Sequence, residues 1–94
     1  MEIMVEFAGL ARVLTKRALL PLTLEEGCSY RQILQRLATM HPELVGNVIH
    51  PSYTSLQSSN MLNLNGRHMI QPDQMDQSPS DGDRLIFMSI LAGG

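Results

Sequence analysis

The chain has 94 residues and a mass of 10.5 kDa, which allows one domain with one modest core. Its composition, 44% hydrophobic and 17% charged, is typical of a globular protein. The net charge is −2, and residues 48–94 carry two basic and four acidic side chains, which disfavours nucleic-acid binding and suits docking onto a basic protein surface. A chain of this size has no room for a separate cofactor-binding domain, but it could still be a small enzyme.

The single cysteine, Cys28, excludes an intrachain disulfide and favours a reducing compartment. No apolar run approaches the length of a membrane span. The first residues include Glu2 and Glu6, where a signal peptide needs a basic start and an apolar stretch. We therefore expect a cytoplasmic protein that does not interact with membranes.

The first half of the chain predicts two strands and a helix. Residues 2–7 alternate in polarity, which is typical of a half-buried strand, and residues 8–16 are expected to form a connection. A second strand is predicted over residues 17–24. Since Pro21 cannot donate a hydrogen bond to a neighbouring strand, this strand should lie at a sheet edge.

The main helix is predicted to begin at Ser29, because Ser29 and Gln32 have the spacing of a capping box. It should end before Pro42. Its apolar stripe comprises Tyr30, Ile33, Leu34, Leu37 and Ala38. Residues 43–50 are expected to add one or two helical turns, and residues 51–60 to form a surface loop.

The second half predicts a hairpin and a buried strand. Asn65-Gly66 lies between short alternating segments within residues 61–70 and favours a tight turn. Asp81-Gly82-Asp83 predicts another turn, and the apolar residues 84–91 predict a strand in the middle of a sheet. The expected architecture is α+β: a mixed sheet of four to five strands, covered on one face by one main helix, with the first and last strands adjacent at its centre.

The sequence ends with Ala92-Gly93-Gly94, and two glycines without side chains suit a narrow channel. Together with Asn65-Gly66 and Asp81-Gly82-Asp83, this ending resembles the MoaD/ThiS sulfur-carrier family. The resemblance implies a ubiquitin-like β-grasp domain over residues 1–91 and a flexible tail over residues 92–94. The chain departs from the family at Ser89 and Ile90, where members often carry two prolines.

The resemblance also implies a chemistry. A ubiquitin-activating-type enzyme would adenylate the carboxylate of Gly94, and persulfide sulfur would convert it to a thiocarboxylate, while Gly93 supplies flexibility and fit. ATP, Mg²⁺ and Zn²⁺ would be bound by that partner, and this chain would bind no cofactor or metal. The closest likeness is to MoaD, the small subunit of molybdopterin synthase, so the large subunit of that enzyme is the second expected partner. The chain would then be a carrier rather than an enzyme.

Three alternatives stay open. The tail could be joined to lysines of other proteins, as in small archaeal modifiers. It could carry sulfur for thiazole, cysteine or another thio-metabolite. Finally, the chain could be a β-grasp interaction module whose glycines are incidental.

Four other side chains are candidates for reactive or metal-binding groups. Cys28 precedes a helix N-terminus, which can lower the pKa of a thiol, but a structural role is favoured. His41, His50 and His68 lack metal-ligand spacing.

Methionines on an uncovered sheet face, such as Met4, are candidates for partner contact.

Overall fold

The computed structural model describes residues 1–57 and 59–89. They form a five-stranded mixed sheet in the order β2-β1-β5-β3-β4, with one main helix, which is the predicted ubiquitin-like β-grasp architecture. The elements in chain order are β1 (Glu2–Phe7), α1 (Leu10–Thr15), β2 (Leu19–Thr23), α2 (Tyr30–Met40), β3 (Asn60–Leu64), β4 (His68–Met69) and β5 (Arg84–Ser89).

The sheet is built around a parallel pair. β1 and β5 run side by side from the pair Met4 and Arg84 to the pair Phe7 and Phe87. β2 and β3 flank them in antiparallel orientation. As predicted, β2 lies at an edge of the sheet, where Pro21 is tolerated.

The core lies between α2 and one face of the sheet. The Ser29 hydroxyl accepts a hydrogen bond from the Gln32 backbone N–H at 3.2 Å, and Gln32 Oε1 accepts one from the Ser29 N–H at 2.9 Å, so the capping box is confirmed. The predicted helical stripe is buried and packs with the inward side chains of β1, β2, β3 and β5. Burying such side chains contributes about 1.5–3 kcal/mol each, which makes this layer the main stabilising element.

The connection expected over residues 8–16 contains a helix instead. After β1 the chain turns at Gly9, whose φ of +62° is readily adopted by glycine, and α1 follows at once. Ala11 of α1 is buried in the core, and burial of this small side chain holds the short helix against the sheet. A six-residue helix has too weak a periodicity to be recognised in the sequence.

Residues 42–57 also differ from the expectation. Only a single 3₁₀ turn, Pro42–Leu44, follows α2, and the chain then continues with an isolated pairing of Val45 with Ile49. Ile49 also pairs with Leu56, so the segment expected as a surface loop is partly tied to the core. Within the described residues, no helix is both long and apolar enough to cross a membrane.

Candidate functional site

The predicted functional residues Gly93 and Gly94, and the predicted flexible tail 92–94, lie outside the described residues. The structure does show the strand from which this tail continues, since β5 ends at Ser89. β1 is paired with β5 only as far as Phe87, although the Ala8 N–H still donates to the Phe87 carbonyl at 2.9 Å. Beyond that point the chain of β1 turns away into α1, so the end of β5 has β3 as its only strand partner among the described residues.

The hydroxyl of Ser89 makes contacts at this end of β5. Ser89 Oγ accepts a hydrogen bond from the Leu10 backbone N–H at 3.3 Å and donates one to Asn60 Oδ1 at 3.0 Å. Asn60 Nδ2 in turn donates to the Gln57 carbonyl at 2.7 Å. The last residue of β5 is therefore linked to the start of α1, to the start of β3 and to the segment that precedes β3. We call Ser89, Asn60 and the Leu10 N–H the Ser89 clamp.

Glycine is needed beside this clamp. A Cβ at Gly9 would lie 2.7 Å from Ser89 Cβ and closer still to the Ser89 hydroxyl, far inside van der Waals contact. Gly9 also has a φ of +62° and a ψ of −136°, a conformation that L side chains avoid. The close approach of the β1–α1 turn to the end of β5 therefore depends on this glycine.

The two turn motifs noted in the sequence meet at the opposite end of β5. Asn65 and Gly66 both have positive φ, as predicted for the hairpin turn. Asn65 Nδ2 donates to Asp83 Oδ1 at 3.0 Å, and Asn65 Oδ1 accepts from the Arg84 N–H at 2.8 Å. Asp81 Oδ1 accepts from the Glu2 N–H at 2.6 Å. These motifs fix the start of the central strand, and their role is structural.

The sheet face away from α2 carries a group of apolar side chains, which we call the methionine face. Met61 lies opposite Met88 in the register of β3 and β5, and Met4 lies on the same side of β1. The face also includes Leu19, Ile86 and Met69. Leu19 is 51% exposed and Met88 is 38% exposed, whereas Ile86 is buried without belonging to the main core.

Polar groups are set within the methionine face. Arg84 Nε lies 3.4 Å from Glu6 Oε2, an exposed ion pair that contributes little to stability. Asn63 is buried, its Nδ2 donates to Met69 Sδ at 3.5 Å, and its Oδ1 has no partner among the described residues. Partly exposed apolar side chains with a few polar groups among them are typical of a protein-docking surface.

Cys28 lies apart from both the Ser89 clamp and the methionine face. Burial raises the pKa of its thiol, the nearby Arg36 partly opposes this shift, and Glu25 adds to it. At neutral pH the side chain is therefore a thiol and not the reactive thiolate. This supports the structural interpretation of Cys28.

The three histidines are not brought together. His41 Nδ1 lies 3.0 Å from Glu43 Oε1, and its ring packs edge-on against Phe7. His50 is bonded to Ser52, and His68 is exposed in β4. Over residues 1–57 and 59–89, no group of three or more His, Cys, Asp or Glu side chains is arranged to hold a metal ion.

The Ser89 clamp was not predicted as a site from the sequence. In the sequence, Ser89 stands out only as a departure from the family pattern, and Asn60 falls in the predicted loop. One signal was present: Ser89 follows Leu85 and Phe87 at the period of two that marks the inward face of a strand. A polar side chain at an inward position needs partners, and here it finds them in the turn after β1 and in β3.

The fold defines the chain as a ubiquitin-like β-grasp protein. Its structural neighbours are MoaD/ThiS-like sulfur carriers and proteins of the SAMP and Urm1 type. No model of a known protein family and no curated protein matches the sequence. The likeness to these proteins is therefore one of fold.

Three solved structures illustrate the likeness. SAMP1 from Haloferax volcanii superposes with a TM-score of 0.80 at 15% identity, with 100% of both chains covered. Molybdopterin converting factor, subunit 1, from Pyrococcus furiosus gives 0.74 at 19% identity and covers 96% of this chain and 98% of its own. Urm1 from Trypanosoma brucei gives 0.72 at 26% identity, with 99% and 95% covered.

Proposed function

We propose that this chain is a sulfur carrier that works through the carboxylate of Gly94. The observation that carries the proposal is that the sequence Ala92-Gly93-Gly94 follows, two residues further along the chain, the central strand β5 of a β-grasp fold. The strand is fixed at both ends, by the Asn65 turn at its start and by the Ser89 clamp at its end. A rigid domain with a short glycine ending suits insertion of the carboxylate into a partner's channel.

The chemistry requires three steps, all with partner proteins. The Gly94 carboxylate oxygen attacks the α-phosphorus of ATP, and pyrophosphate leaves. A persulfide sulfur then attacks the acyl-adenylate and expels AMP, and a second thiol cleaves the resulting acyl disulfide to release the thiocarboxylate. This chain supplies the carboxylate and the docking surface, while ATP, Mg²⁺ and Zn²⁺ belong to the adenylating enzyme.

The methionine face is the proposed docking surface for that enzyme. Flexible thioether side chains adapt to a partner's shape, and the partial exposure of Met88, Met69 and Leu19 leaves apolar area to be buried on binding. The Arg84–Glu6 pair would supply polar contacts beside it. Because Met88 is next to Ser89, docking through this face would bring the end of β5 close to the partner.

The proposal has two forms, which differ in what the activated Gly94 serves: donation of sulfur, or attachment to another protein. In the first, the thiocarboxylate donates sulfur for molybdopterin synthesis together with a large synthase subunit, a form favoured by the likeness to the Pyrococcus furiosus subunit. In the second, the activated glycine is joined to lysines of other proteins, a form favoured by the likeness to SAMP1. Both forms share the activation step.

The test is activation by a panel of adenylating enzymes with ATP and a sulfur donor, followed by intact mass measurement. The expected product is heavier by the difference between one sulfur and one oxygen atom. Deletion of Gly94 should leave thermal unfolding unchanged and abolish activation. Gly94→Ala should also fold normally and lose transfer, because a methyl group crowds the reacting carboxylate.

The result that contradicts the proposal is an unchanged mass under conditions that convert a known carrier. Continued sulfur delivery by the truncated chain would also contradict it. To separate the two forms, the extract of cells expressing the chain is probed for covalent conjugates. Conjugates that vanish on removal of Gly94 indicate the modifier, and a free thiocarboxylate that serves a large synthase subunit indicates the carrier.

A further inference from the structure

The Ser89 clamp occupies a position that the fold alone does not require. It lies at the point where β1 has already turned away, and among the described residues the register of β1 with β5 ends at the pair Phe7 and Phe87. The Ser89 side chain replaces that pairing by accepting from the Leu10 N–H at 3.3 Å. On the other side, the register pair Asn60 and Ser89 is reinforced by the 3.0 Å bond between their side chains.

We propose that the Ser89 clamp is a positioning device that holds the end of β5 in one place and so fixes the point from which the chain continues towards Gly94. This inference rests on the proposed function. Five residues separate Ser89 from the end of Gly94, and an extended chain spans at most about 3.3–3.6 Å per residue. The reach of the Gly94 carboxylate is therefore measured from Ser89, and a clamp that fixes Ser89 fixes the origin of that reach.

Loss of the clamp should loosen Met88 and Ser89 at the end of β5. A partner would then have to order these residues on binding, and fixing each backbone residue is entropically unfavourable. Once the tail lies in the channel, however, the channel itself aligns the carboxylate. We therefore expect loss of the clamp to raise the KM for the carrier and to leave the chemical step, and so kcat, nearly unchanged.

The principal variant is Ser89→Ala, and the matched control is Ser78→Ala. Ser78 is also a serine with a long-range bond, donating to the Gly27 carbonyl at 2.9 Å, but it lies outside the clamp. In adenylation assays, Ser89→Ala should raise the KM for the carrier about five- to tenfold, with kcat within about twofold of wild type, because neutral hydrogen bonds have modest net effects. Ser78→Ala should leave both constants unchanged.

A merely structural role predicts a different pattern. If Ser89 only stabilised the fold, Ser89→Ala would lower the melting temperature and loosen contacts throughout the domain. The concentration of active carrier would then fall because part of the protein is unfolded. The clamp predicts instead a local effect in the free protein. Backbone NMR order parameters of Met88 and Ser89 should fall in Ser89→Ala from about 0.85 towards 0.6, while the order parameters of β1 and α2 stay unchanged.

Asn60→Ala provides a second route to the same result. It removes the acceptor of the Ser89 hydroxyl, so it should raise KM in the same direction. The double variant should be no worse than the more severe single variant, because both changes break the same linkage. Additive effects of the two substitutions would contradict a shared clamp.

The outcomes distinguish this inference from the proposed function. If no adenylating enzyme activates wild type, the proposed function fails and the positioning role fails with it, whatever the NMR result. If wild type is activated and Ser89→Ala has the same KM, the positioning role alone is overturned. Unchanged order parameters at Met88 and Ser89 would also overturn it, whereas the raised KM with locally lowered order parameters supports it.

Discussion

Tyr30 shows how a single side chain couples the helix to the turn before β5. It is the first residue of α2 and is 3% exposed, and its backbone N–H donates to the Gln77 carbonyl at 2.9 Å. Burial raises the pKa of its phenol above the ordinary value of about 10, and the negative charge of Asp83 raises it further. The folded protein therefore keeps the phenol proton at a pH where the unfolded chain has lost it.

This shift in pKa makes the free energy of unfolding depend on pH in the alkaline range. Between the unfolded and folded pKa values the folded state binds more protons, so stability falls as the pH rises. The contribution is fully present below about pH 10 and is lost as the pH rises through the folded-state pKa. In Tyr30→Phe this loss should be absent, so denaturant unfolding at a series of pH values should show wild type weakening relative to the variant above pH 10.

The comparison of the two proteins isolates Tyr30, because their other titrating groups are the same. At neutral pH the two unfolding free energies should be similar, since the variant keeps the ring. Parallel pH profiles above pH 10 would show that the phenol is not protonated preferentially in the folded state. Tyr53→Phe, at the other tyrosine of the chain, serves as the control.

The conformation of a single residue can be predicted from the sequence where only a few residue types adopt the local backbone geometry. Asn65 and Gly66 were assigned to a turn because their positive φ values belong to few residue types. The partners of Asn65 could not be predicted, because Asp83 and Arg84 reach it only through the pairing of β3 with β5. For the same reason, Ser89 was recognisable as unusual but its contacts were not.

Among the elements, α2 carries the most packing. Leu37 lies in the middle of its stripe, is completely buried, and belongs to the same core as Val5 and Phe87. Leu37→Ala should lower the free energy of unfolding by about 2–5 kcal/mol, because it removes apolar contacts and leaves a cavity. Denaturant or thermal unfolding measures this loss.

Gln35→Ala provides the comparison, since Gln35 lies on the exposed side of the same helix. Its effect should stay within about 0.5 kcal/mol. A Leu37→Ala effect as small as that would mean that α2 does not pack on the sheet through this stripe.

The elements differ in how far the sequence could define them. α2 was predicted closely because a capping box, an apolar period and a following proline all agree. α1 was missed because its six residues hold only one buried side chain, Ala11. β4 is only two residues long, and its extent depends on pairing with β3 rather than on local preference.

At the scale of the whole molecule, the two faces of the sheet have different roles. One packs on α2, and the other is the methionine face. Met88→Glu should leave the melting temperature within a few degrees of wild type, because the side chain is 38% exposed. It should raise the KM of the adenylating enzyme more than tenfold, because docking would bury an unpaired carboxylate.

Val13→Glu is the matched control for this prediction. Val13 is 69% exposed on α1, and the same substitution there places an equal charge away from the methionine face. If both variants raise KM equally, the effect comes from net charge and not from docking. Activation of Met88→Glu at the wild-type KM would exclude this face from the interface.

The parallel pairing of β1 with β5 has a consequence for how the chain acquires its structure. The pairing joins Met4 to Arg84, so the centre of the sheet closes only after β5 has been synthesised. Before that, a nascent chain on the ribosome can form α2 and the local pair of β1 with β2, but one edge of β1 stays unpaired and prone to aggregation. The strand that precedes Gly94 in the chain is thus the same strand that completes the core, and the methionine face assembles only when β5 enters the sheet. An adenylating enzyme that recognises this face would therefore select finished molecules over unfinished ones.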